Sequence, residues 1–269
     1  MSGFSADWLA LREPVDALAR NQELTAQLIA WRRQPGFLSV LDLGSGTGAN
    51  LRFLAPWLSD QQYWRLVDAD PILLADGATR FANPGGVAVE RLCLDLTDSW
   101  ERLEAVKPTL VTASALLDLV SADWLESLAQ CCQAWQAAVL IVLSYDGTIL
   151  WEPALADDHR VCAWVNRHQY TDKGFGPALG PDAAPALAAL LADRGYQVAL
   201  RPSPWRLGPE HAAMQTALLA GWVDAAQQIG PDRAGELTAW ANQRQVWIAQ
   251  GQSRLTVGHW DLFATLKAA

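Results

Sequence analysis

A short apolar run followed at once by three glycines decides the fold of this chain; it reads SVLDLGSGTGAN from Ser39 to Asn50. The run around Val40 and Leu43 has the length and composition of a buried strand, and helical spacing resumes at Ala49. The glycines between them allow a backbone with positive φ and a close approach to a ligand. A helix that starts directly after such a turn directs its free N–H groups at that ligand. The stretch therefore predicts a strand, a turn and a helix that together hold a nucleotide-type cofactor.

Two cofactor classes fit this turn. The spacing from Gly44 to Ala49 satisfies the loose G-x-G-x-x-A fingerprint of dinucleotide-binding proteins. The fuller string LDLGSGTG resembles motif I of the class I S-adenosylmethionine-dependent methyltransferases, in which an acidic residue precedes the first glycine by two positions. The resemblance implies that Asp42 engages the ammonium group of the methionine moiety, and a carboxylate there disfavours a pyrophosphate. The turn residues that it places on the cofactor are Gly44, Ser45, Gly46 and Gly48. A glycine turn without a ligand is the third interpretation.

The next two predicted strands, within 63–71 and 87–96, each lead into an acidic residue. A carboxylate at the end of the second strand suits the two hydroxyls of a ribose. Asp70 is predicted to cap a helix or to face solvent, and Asp95 has the alternative role of capping the turn that follows it. By the family resemblance the cofactor contacts are Asp68 and Ala69 for the ribose, and Asp95 and Leu96 for the adenine.

The fourth and fifth predicted strands are followed by residues that we expect on the acceptor side of the site. Residues 110–120 match the family's motif IV, beside the sulfonium methyl, and the resemblance places Ser114 on the cofactor. Asp118 is a candidate general base or substrate-orienting residue, with capping of the helix over 122–132 as the equal alternative. The strand from Ala137 is predicted to end in a turn at Tyr145, which makes Tyr145 a pocket candidate against ordinary turn packing.

Residues 158–180 carry local positive charge and aromatic side chains in an acidic chain, and glycines interrupt them. The segment is predicted to be a mobile loop or lid over the site. Arg167 and Lys173 are candidates for binding an anionic acceptor, and His168 joins Asp118 and Tyr145 as a candidate catalytic residue. A solvated helix end followed by a connecting loop is the alternative.

Residues 6–33 have helical spacing with a break near Asn21, and Pro14 suggests that a helix starts or restarts there. Arg12, Asp16 and Arg20 follow at i, i+4 and i+8 and therefore share one helix face. That face is either a solvated, salt-bridged surface or, by analogy with the family, the place where Arg20 holds the methionine carboxylate.

Composition bounds the remaining questions. The 269 residues carry a formal net charge of −9, which disfavours nucleic acid as a partner. The four cysteines and four histidines show no metal-ligand spacing, so no metal is expected. We recognise neither a signal peptide nor an apolar run long enough to cross a membrane, so a cytoplasmic monomer or homodimer is expected.

The predicted architecture is a single α/β domain over 1–269. It has a three-layer, doubly wound, seven-stranded sheet that is mostly parallel, with strand 7 antiparallel between strands 5 and 6. A helical cover (1–37) and a helical insertion between strands 6 and 7 (207–252) complete it. The expected function is S-adenosylmethionine-dependent methyl transfer to a small polar or anionic metabolite. The alternatives are a protein or RNA acceptor, an NAD(P)-binding oxidoreductase, and a non-catalytic module that binds the cofactor.

Overall fold

The computed structural model describes residues 5–33, 36–58, 61–82, 85–97, 102–103 and 107–267. Its strands are β1 (Leu38–Leu43), β2 (Gln62–Asp68), β3 (Val87–Cys93), β4 (Leu110–Ser114), β5 (Ala138–Glu152), β6 (Tyr196–Pro202), β7 (Trp205–Leu207) and β8 (Arg254–Leu266). The α-helices that it describes are α1 (Ala6–Ala19), α2 (Gln22–Arg32), α3 (Ala49–Leu54), α4 (Pro71–Arg80), α5 (Ala122–Trp135), α6 (Asp158–Gln169), α7 (Ala183–Asp193), α8 (Ala212–Ile229) and α9 (Ala234–Ala249).

The strands form one mixed sheet in the order β3-β2-β1-β4-β5-β8-β6, with β7 paired to β8. β1 to β5 are parallel, and β8 is antiparallel to β5, β6 and β7. The predicted α/β class and the antiparallel last strand between the fifth and sixth are confirmed. The sheet has eight strands and not seven, because Trp205, which the sequence suggested for the exit of strand 6, begins β7.

Helices cover both faces of the sheet, as the three-layer prediction requires. β1 is buried along its whole length, and its side chains alternate between the two apolar clusters of the core. Leu125 and Leu128 of α5 pack in one cluster, and Leu24 of α2 and Leu51 of α3 pack in the other. β1 thus ends in the middle of the molecule, where polar groups at its carboxyl end are out of contact with bulk water.

β5 differs from its prediction. Asp146 and Gly147 form no terminal turn, because β5 continues to Glu152 in pairing with the long strand β8. The register shifts twice, between Ile141 and Ser144 and again after Tyr145. At the first shift Leu143 adopts φ +56°, and its N–H donates to Asp261 Oδ1 at 2.8 Å. An Asp-Gly pair is a strong local turn signal, but here β-bulges absorb it within the strand.

The N-terminal helices match their prediction except at Pro14. α1 and α2 are separated at Arg20 and Asn21, but α1 begins after Ser5, whose Oγ accepts from Trp8 N–H at 3.1 Å. Pro14 therefore lies inside α1 and neither starts nor restarts a helix. Capping by Ser5 fixes the start of α1 independently of the proline.

The segment 158–180 departs from the prediction of a loop, since its first twelve residues form the regular helix α6, and it agrees with the alternative of a helix end followed by a connecting loop. The predicted helical insertion between the sixth and the last strand is confirmed as α8 and α9. Trp222 and Trp240 of that insertion both pack edge-on against Trp151 of β5, at ring separations of 5.9 and 6.4 Å. In the part of the chain that the structure describes, no helix has both the length and the apolar character needed to cross a bilayer.

Candidate functional site

A cavity of about 560 Å³ lies at the carboxyl ends of β1, β2 and β4, where ligands of doubly wound sheets bind. The predicted cofactor residues converge on it, although they are far apart in the sequence. Gly48 and Arg20 do not line it. The predicted cofactor residues that do line it are Asp42, Gly44, Ser45, Gly46, Asp68, Ala69, Asp95, Leu96 and Ser114.

The glycine turn forms the floor of the cavity in a conformation that side chains disfavour. Gly44, Gly46 and Gly48 have φ values of +62°, +52° and +77°. A Cβ on Gly46 would lie 3.0 Å from Leu9 Cδ1 of α1, and Leu9 also lines the cavity. The turn is therefore closely covered by α1 and leaves no room for side chains at its centre.

Asp68 holds the backbone of the glycine turn in place through hydrogen bonds. Its Oδ2 accepts from Gly46 N–H at 2.7 Å, and its Oδ1 accepts from Asp70 N–H at 2.9 Å. Asp70 in turn caps α4 through Ile72 N–H at 2.8 Å, as the capping prediction states. A carboxylate offers about four lone-pair positions, so Asp68 keeps acceptor capacity towards the cavity.

Asp42 is a buried carboxylate with one oxygen unsatisfied. Its Oδ1 accepts from Asn50 Nδ2 at 3.0 Å, whereas Oδ2 has no hydrogen-bond partner among the described residues. Burial raises the pKa of Asp42 to about 7, although Asn50 and the positive charge of Arg20 oppose the shift. Ser45 Oγ, two residues beyond β1, is likewise buried and unpaired in the described part of the chain. Unpaired buried polar atoms are costly, so their presence at the cavity wall indicates a site for a polar ligand.

The helix face formed by Arg12, Asp16 and Arg20 is buried and not solvated, with exposed fractions of 9%, 8% and 6%. Arg20 packs over the ring of Phe53 at 4.9 Å, and its Nε and Nη1 lack partners within the described residues. Burial lowers the pKa of Arg20, and the carboxylates of Asp261, Asp16 and Asp42 oppose that shift. The interpretation as a solvated surface is wrong, because this face packs against the sheet.

At the predicted adenine end, Asp95 holds its own turn. Its Oδ1 accepts from Thr97 N–H at 2.9 Å and from Thr97 Oγ1 at 2.7 Å, and these bonds lower the pKa of Asp95. The carbonyl of Leu96 accepts from Trp124 Nε1 at 2.8 Å. Asp95 thus caps the turn that follows it, which is the alternative role predicted from the sequence. Asp95 also lines the cavity.

Asp118 and Tyr145 lie together, but neither lines the cavity. The Asp118 carboxylate accepts from the backbone N–H of Tyr145, and burial raises the pKa of Asp118 to about 6. Tyr145 donates its hydroxyl to Asn166 Oδ1 at 2.7 Å, and burial raises its pKa. Ser121, and not Asp118, caps α5, since its Oγ accepts from Trp124 N–H. The capping alternative for Asp118 is therefore wrong.

His168 and Lys173 contact each other outside the cavity. Lys173 Nζ lies 3.1 Å from His168 Nδ1 and donates to the carbonyl of His168 at 2.9 Å. Burial and the charge of Lys173 lower the pKa of His168. Arg167 is exposed on α6. Of the residues in 158–180, only Phe175 lines the cavity. The aromatic side chains of this segment were the feature of the sequence that could have indicated this contact.

Sequence reasoning also missed Arg12 as a site residue. Arg12 and Asp16 both line the cavity, and a salt bridge joins them at 2.8 Å. The signal was present in the i, i+4 spacing of two opposite charges, but that spacing is equally typical of a surface pair.

No family model and no curated protein matches the chain. Solved structures do match its fold. One is a mycolic acid cyclopropane synthase complexed with SAH and CTAB, with a TM-score of 0.50 and 13% identity, covering 97% of this chain and 94% of that one. Another is a cyclopropane synthase from Mycobacterium tuberculosis, with a TM-score of 0.49, 13% identity and coverages of 97% and 95%. A third is a SAM-dependent methyltransferase from Thiobacillus denitrificans, in complex with S-adenosyl-L-homocysteine, with a TM-score of 0.46, 16% identity and coverages of 98% and 99%. At such identities the similarity concerns the fold alone. The synthase complexed with SAH has the same fold as this chain. That fold is the doubly wound sheet predicted from the resemblance to motif I.

Proposed function

We propose that this chain is an S-adenosylmethionine-dependent methyltransferase that acts on a small polar or anionic metabolite, and that residues 1–269 form one methyltransferase domain. The observation that carries the proposal is the cavity floor. Three glycines with positive φ adjoin two buried oxygens that lack a partner among the described residues, Oδ2 of the Asp42 carboxylate and Oγ of Ser45. A ligand with an ammonium group and a ribose fits this set of donors and acceptors.

Different residues of the cavity would bind the ammonium group, the ribose and the adenine of that cofactor. Asp42 Oδ2 and Ser45 Oγ would accept from the ammonium group at the end of β1. Asp68 would accept from the ribose hydroxyls while holding the turn through Gly46 N–H. Leu96 and the apolar wall beside it would enclose the adenine.

S-adenosylmethionine, when bound, supplies a sulfonium methyl group that an acceptor atom attacks in line. The chain contributes chiefly position and exclusion of water, which is what such a transfer requires. Tyr145 already donates its hydroxyl to Asn166, and His168 contacts Lys173 outside the cavity. We therefore retain Asp118, which follows the lining residue Leu116 by two positions, as the candidate base for an acceptor that must lose a proton.

A matched pair of glycine variants tests the cradle. Gly46→Ala and Gly195→Ala both force a side chain into positive φ, which costs about 1–2 kcal/mol of stability by the handedness argument. Only Gly46 lies in the cavity, whereas a Cβ on Gly195 meets nothing within 4 Å. Calorimetric titration should show S-adenosylhomocysteine binding to the wild type and to Gly195→Ala, with binding lost or strongly weakened in Gly46→Ala. Equal affinities in all three proteins would remove the turn from the site.

The reaction is tested with S-adenosylmethionine that carries a deuterated methyl group. The protein and a cell extract are incubated with it, and mass spectrometry separates small molecules from macromolecules. Label in a soluble metabolite is the expected result. Label confined to protein or RNA would contradict the substrate class, and preferential binding of NAD(H) over S-adenosylhomocysteine would contradict the cofactor. Bound S-adenosylhomocysteine with no transfer to any fraction would favour a non-catalytic module.

A further inference from the structure

We propose that Arg12 binds the acid group of the acceptor, and that the acceptor is a small organic acid with an apolar body. This inference rests on the proposed function, because it places the acid beside the cofactor in the same cavity. It assigns the anion-binding role to α1 and not to Arg167 or Lys173, neither of which lines the cavity.

Arg12 is held rigidly on two sides. Its Nε and Nη2 donate to the two carboxylate oxygens of Asp16 at 2.8 and 3.3 Å. Its guanidinium lies 4.9 Å from the ring centre of Trp205, and Trp205 Nε1 donates to Asp16 Oδ1 at 2.9 Å. Asp16 of α1 and Trp205 of β7 therefore fix the plane of the guanidinium, so that little rotamer entropy is lost when a ligand binds.

The remaining edge of Arg12 has no protein partner. Nη1 makes no hydrogen bond within the described residues, and Arg12 lines the cavity although the residue is only 9% exposed. Asp118 interacts electrostatically with Arg12, but the described residues include no salt bridge between them within 4 Å. A guanidinium edge with unpaired N–H groups at a cavity wall is a site for a carboxylate or another planar acid.

The position of Arg12 in the sheet order favours the acceptor and not the adenosine. The adenosine residues Asp68 and Asp95 follow β2 and β3, on one side of β1. Arg12 interacts instead with Trp205 of β7, with His259 of β8 and with Asp118 after β4, all on the opposite side of β1. Arg12 therefore contacts the part of the sheet that lies away from the proposed adenosine residues.

Apolar side chains also line the cavity, and they define the rest of the acceptor. They are Leu9, Leu116, Leu119 and Phe175. An acid with several charged or hydroxyl groups would leave those groups unsatisfied against these side chains, whereas an aliphatic or aromatic body would be buried favourably. The chemical class is therefore a compact acid with one hydrophobic end.

Benzoate and benzamide are suitable probes, since they share size and apolar body and differ in the acid group. Both are titrated calorimetrically into protein saturated with S-adenosylhomocysteine. We expect benzoate to bind the wild type saturably. We expect benzamide to bind it at least about tenfold more weakly, which is the ratio that corresponds to loss of a charged hydrogen-bonded pair. Arg12→Gln should weaken benzoate binding by about tenfold or more and change S-adenosylhomocysteine affinity by less than about threefold.

Arg206→Gln is the matched control, because Arg206 is the exposed neighbour of Trp205 on β7 and should leave both affinities unchanged. If Arg12→Gln fails to fold because Asp16 has lost its cationic partner, Arg12→Gln/Asp16→Asn removes both charges and should give the same loss of benzoate binding.

The outcomes separate the two proposals. Absence of benzoate binding, equal binding of benzamide, or unchanged benzoate binding in Arg12→Gln overturns the acid-binding role. Loss of S-adenosylhomocysteine affinity in Arg12→Gln also overturns it, by assigning Arg12 to the cofactor's own carboxylate. Failure of the wild type to bind S-adenosylhomocysteine overturns the proposed function alone, since benzoate binding is then measured on the free protein.

Discussion

At the scale of single residues, Asp42 is the side chain whose ionisation we expect to affect both stability and ligand binding. It is buried with its Oδ2 unpaired, and burial raises its pKa from 3.8 to about 7. A raised folded-state pKa favours the neutral carboxyl, so the associated stability is present below pH 3.8 and is lost as pH rises through about 7. A ligand ammonium needs the charged form, so stability and binding have opposite pH dependences at this residue.

Asp42→Asn should reveal both dependences. Its free energy of unfolding should exceed that of the wild type by an amount that grows between pH 5 and pH 8, because the amide escapes the cost of burying a charge. Over the same range the wild type should bind S-adenosylhomocysteine more tightly as pH rises, while Asp42→Asn binds weakly throughout. Urea unfolding and calorimetric titration at the two pH values measure these differences. Asp118, with its pKa of about 6, is common to both proteins and cancels in the comparison.

Residues differ in how far the sequence could predict them. Asp42 and Asp68 were predictable because they lie at fixed distances from a strand end and a glycine turn, which are local features. Arg12 was not, because its role depends on Trp205 and on an unpaired edge that faces the cavity. The i, i+4 pair of charges is the same whether a helix face lies against water or against a sheet.

At the scale of elements, Asp261 of β8 joins four segments of the chain. Its Oδ1 accepts from Leu143 N–H at the bulge of β5 and from Ser203 Oγ at 2.6 Å, and its Oδ2 accepts from Asn21 N–H at 2.8 Å. Asp261 is 1% exposed, and its carboxylate also faces Arg20. One side chain thus attaches the junction of α1 and α2 to β5 and to the connection between β6 and β7.

Asp261→Asn should be strongly destabilising, since an amide nitrogen replaces one acceptor and faces a donor. We expect a loss of about 1.5–3 kcal/mol for hydrogen bonds to a charged group, against about 0.5–1.5 kcal/mol for Ser203→Ala, which removes one bond. Denaturant unfolding measures both values, and hydrogen exchange should accelerate at residues 19–22 and 141–145 only in Asp261→Asn. A loss no larger than that of Ser203→Ala would show that Asp261 does not join these segments energetically.

Elements with strong local patterns were predicted well, and elements decided by pairing were not. α8, α9 and β1 follow from periodicity, because their neighbours only reinforce it. β7 and the second half of β5 exist because β8 is thirteen residues long and pairs with both. No local pattern in Trp205 to Leu207 or in Asp146-Gly147 conveys the length of a strand that comes more than forty residues later.

At the scale of the whole molecule, α1 covers the cavity and is attached to the glycine turn and to α3, the helix that follows the turn. Leu9 packs over Gly46, and Arg52 of α3 holds Glu13 of α1 through two hydrogen bonds of 2.7 Å. A ligand that occupies the cavity therefore contacts α1 and the glycine turn together. Ligand binding should stabilise both by mass action, by about 2.7 kcal/mol at a hundredfold excess over Kd.

Hydrogen exchange with and without S-adenosylhomocysteine tests this coupling. Amides of residues 6–19 and 44–48 should exchange more slowly in the presence of the ligand, whereas locally exchanging amides of α9, which does not line the cavity, should be unchanged. Protection confined to 44–48 would show that α1 does not close on the ligand. Protection that is uniform along the chain would indicate global stabilisation alone.

The attachment of α1 and α2 to Asp261 also has a consequence for synthesis of the chain on the ribosome. The glycine turn and the four strands that surround it are complete once residue 114 has been made, long before β8 exists. Asn21 and Arg20 can contact the Asp261 carboxylate only after residue 261 has emerged. The nascent chain therefore contains the glycine turn before it contains the residue that attaches α1 and α2. A chain that stops within α9 would keep motif I intact and would still lack this attachment.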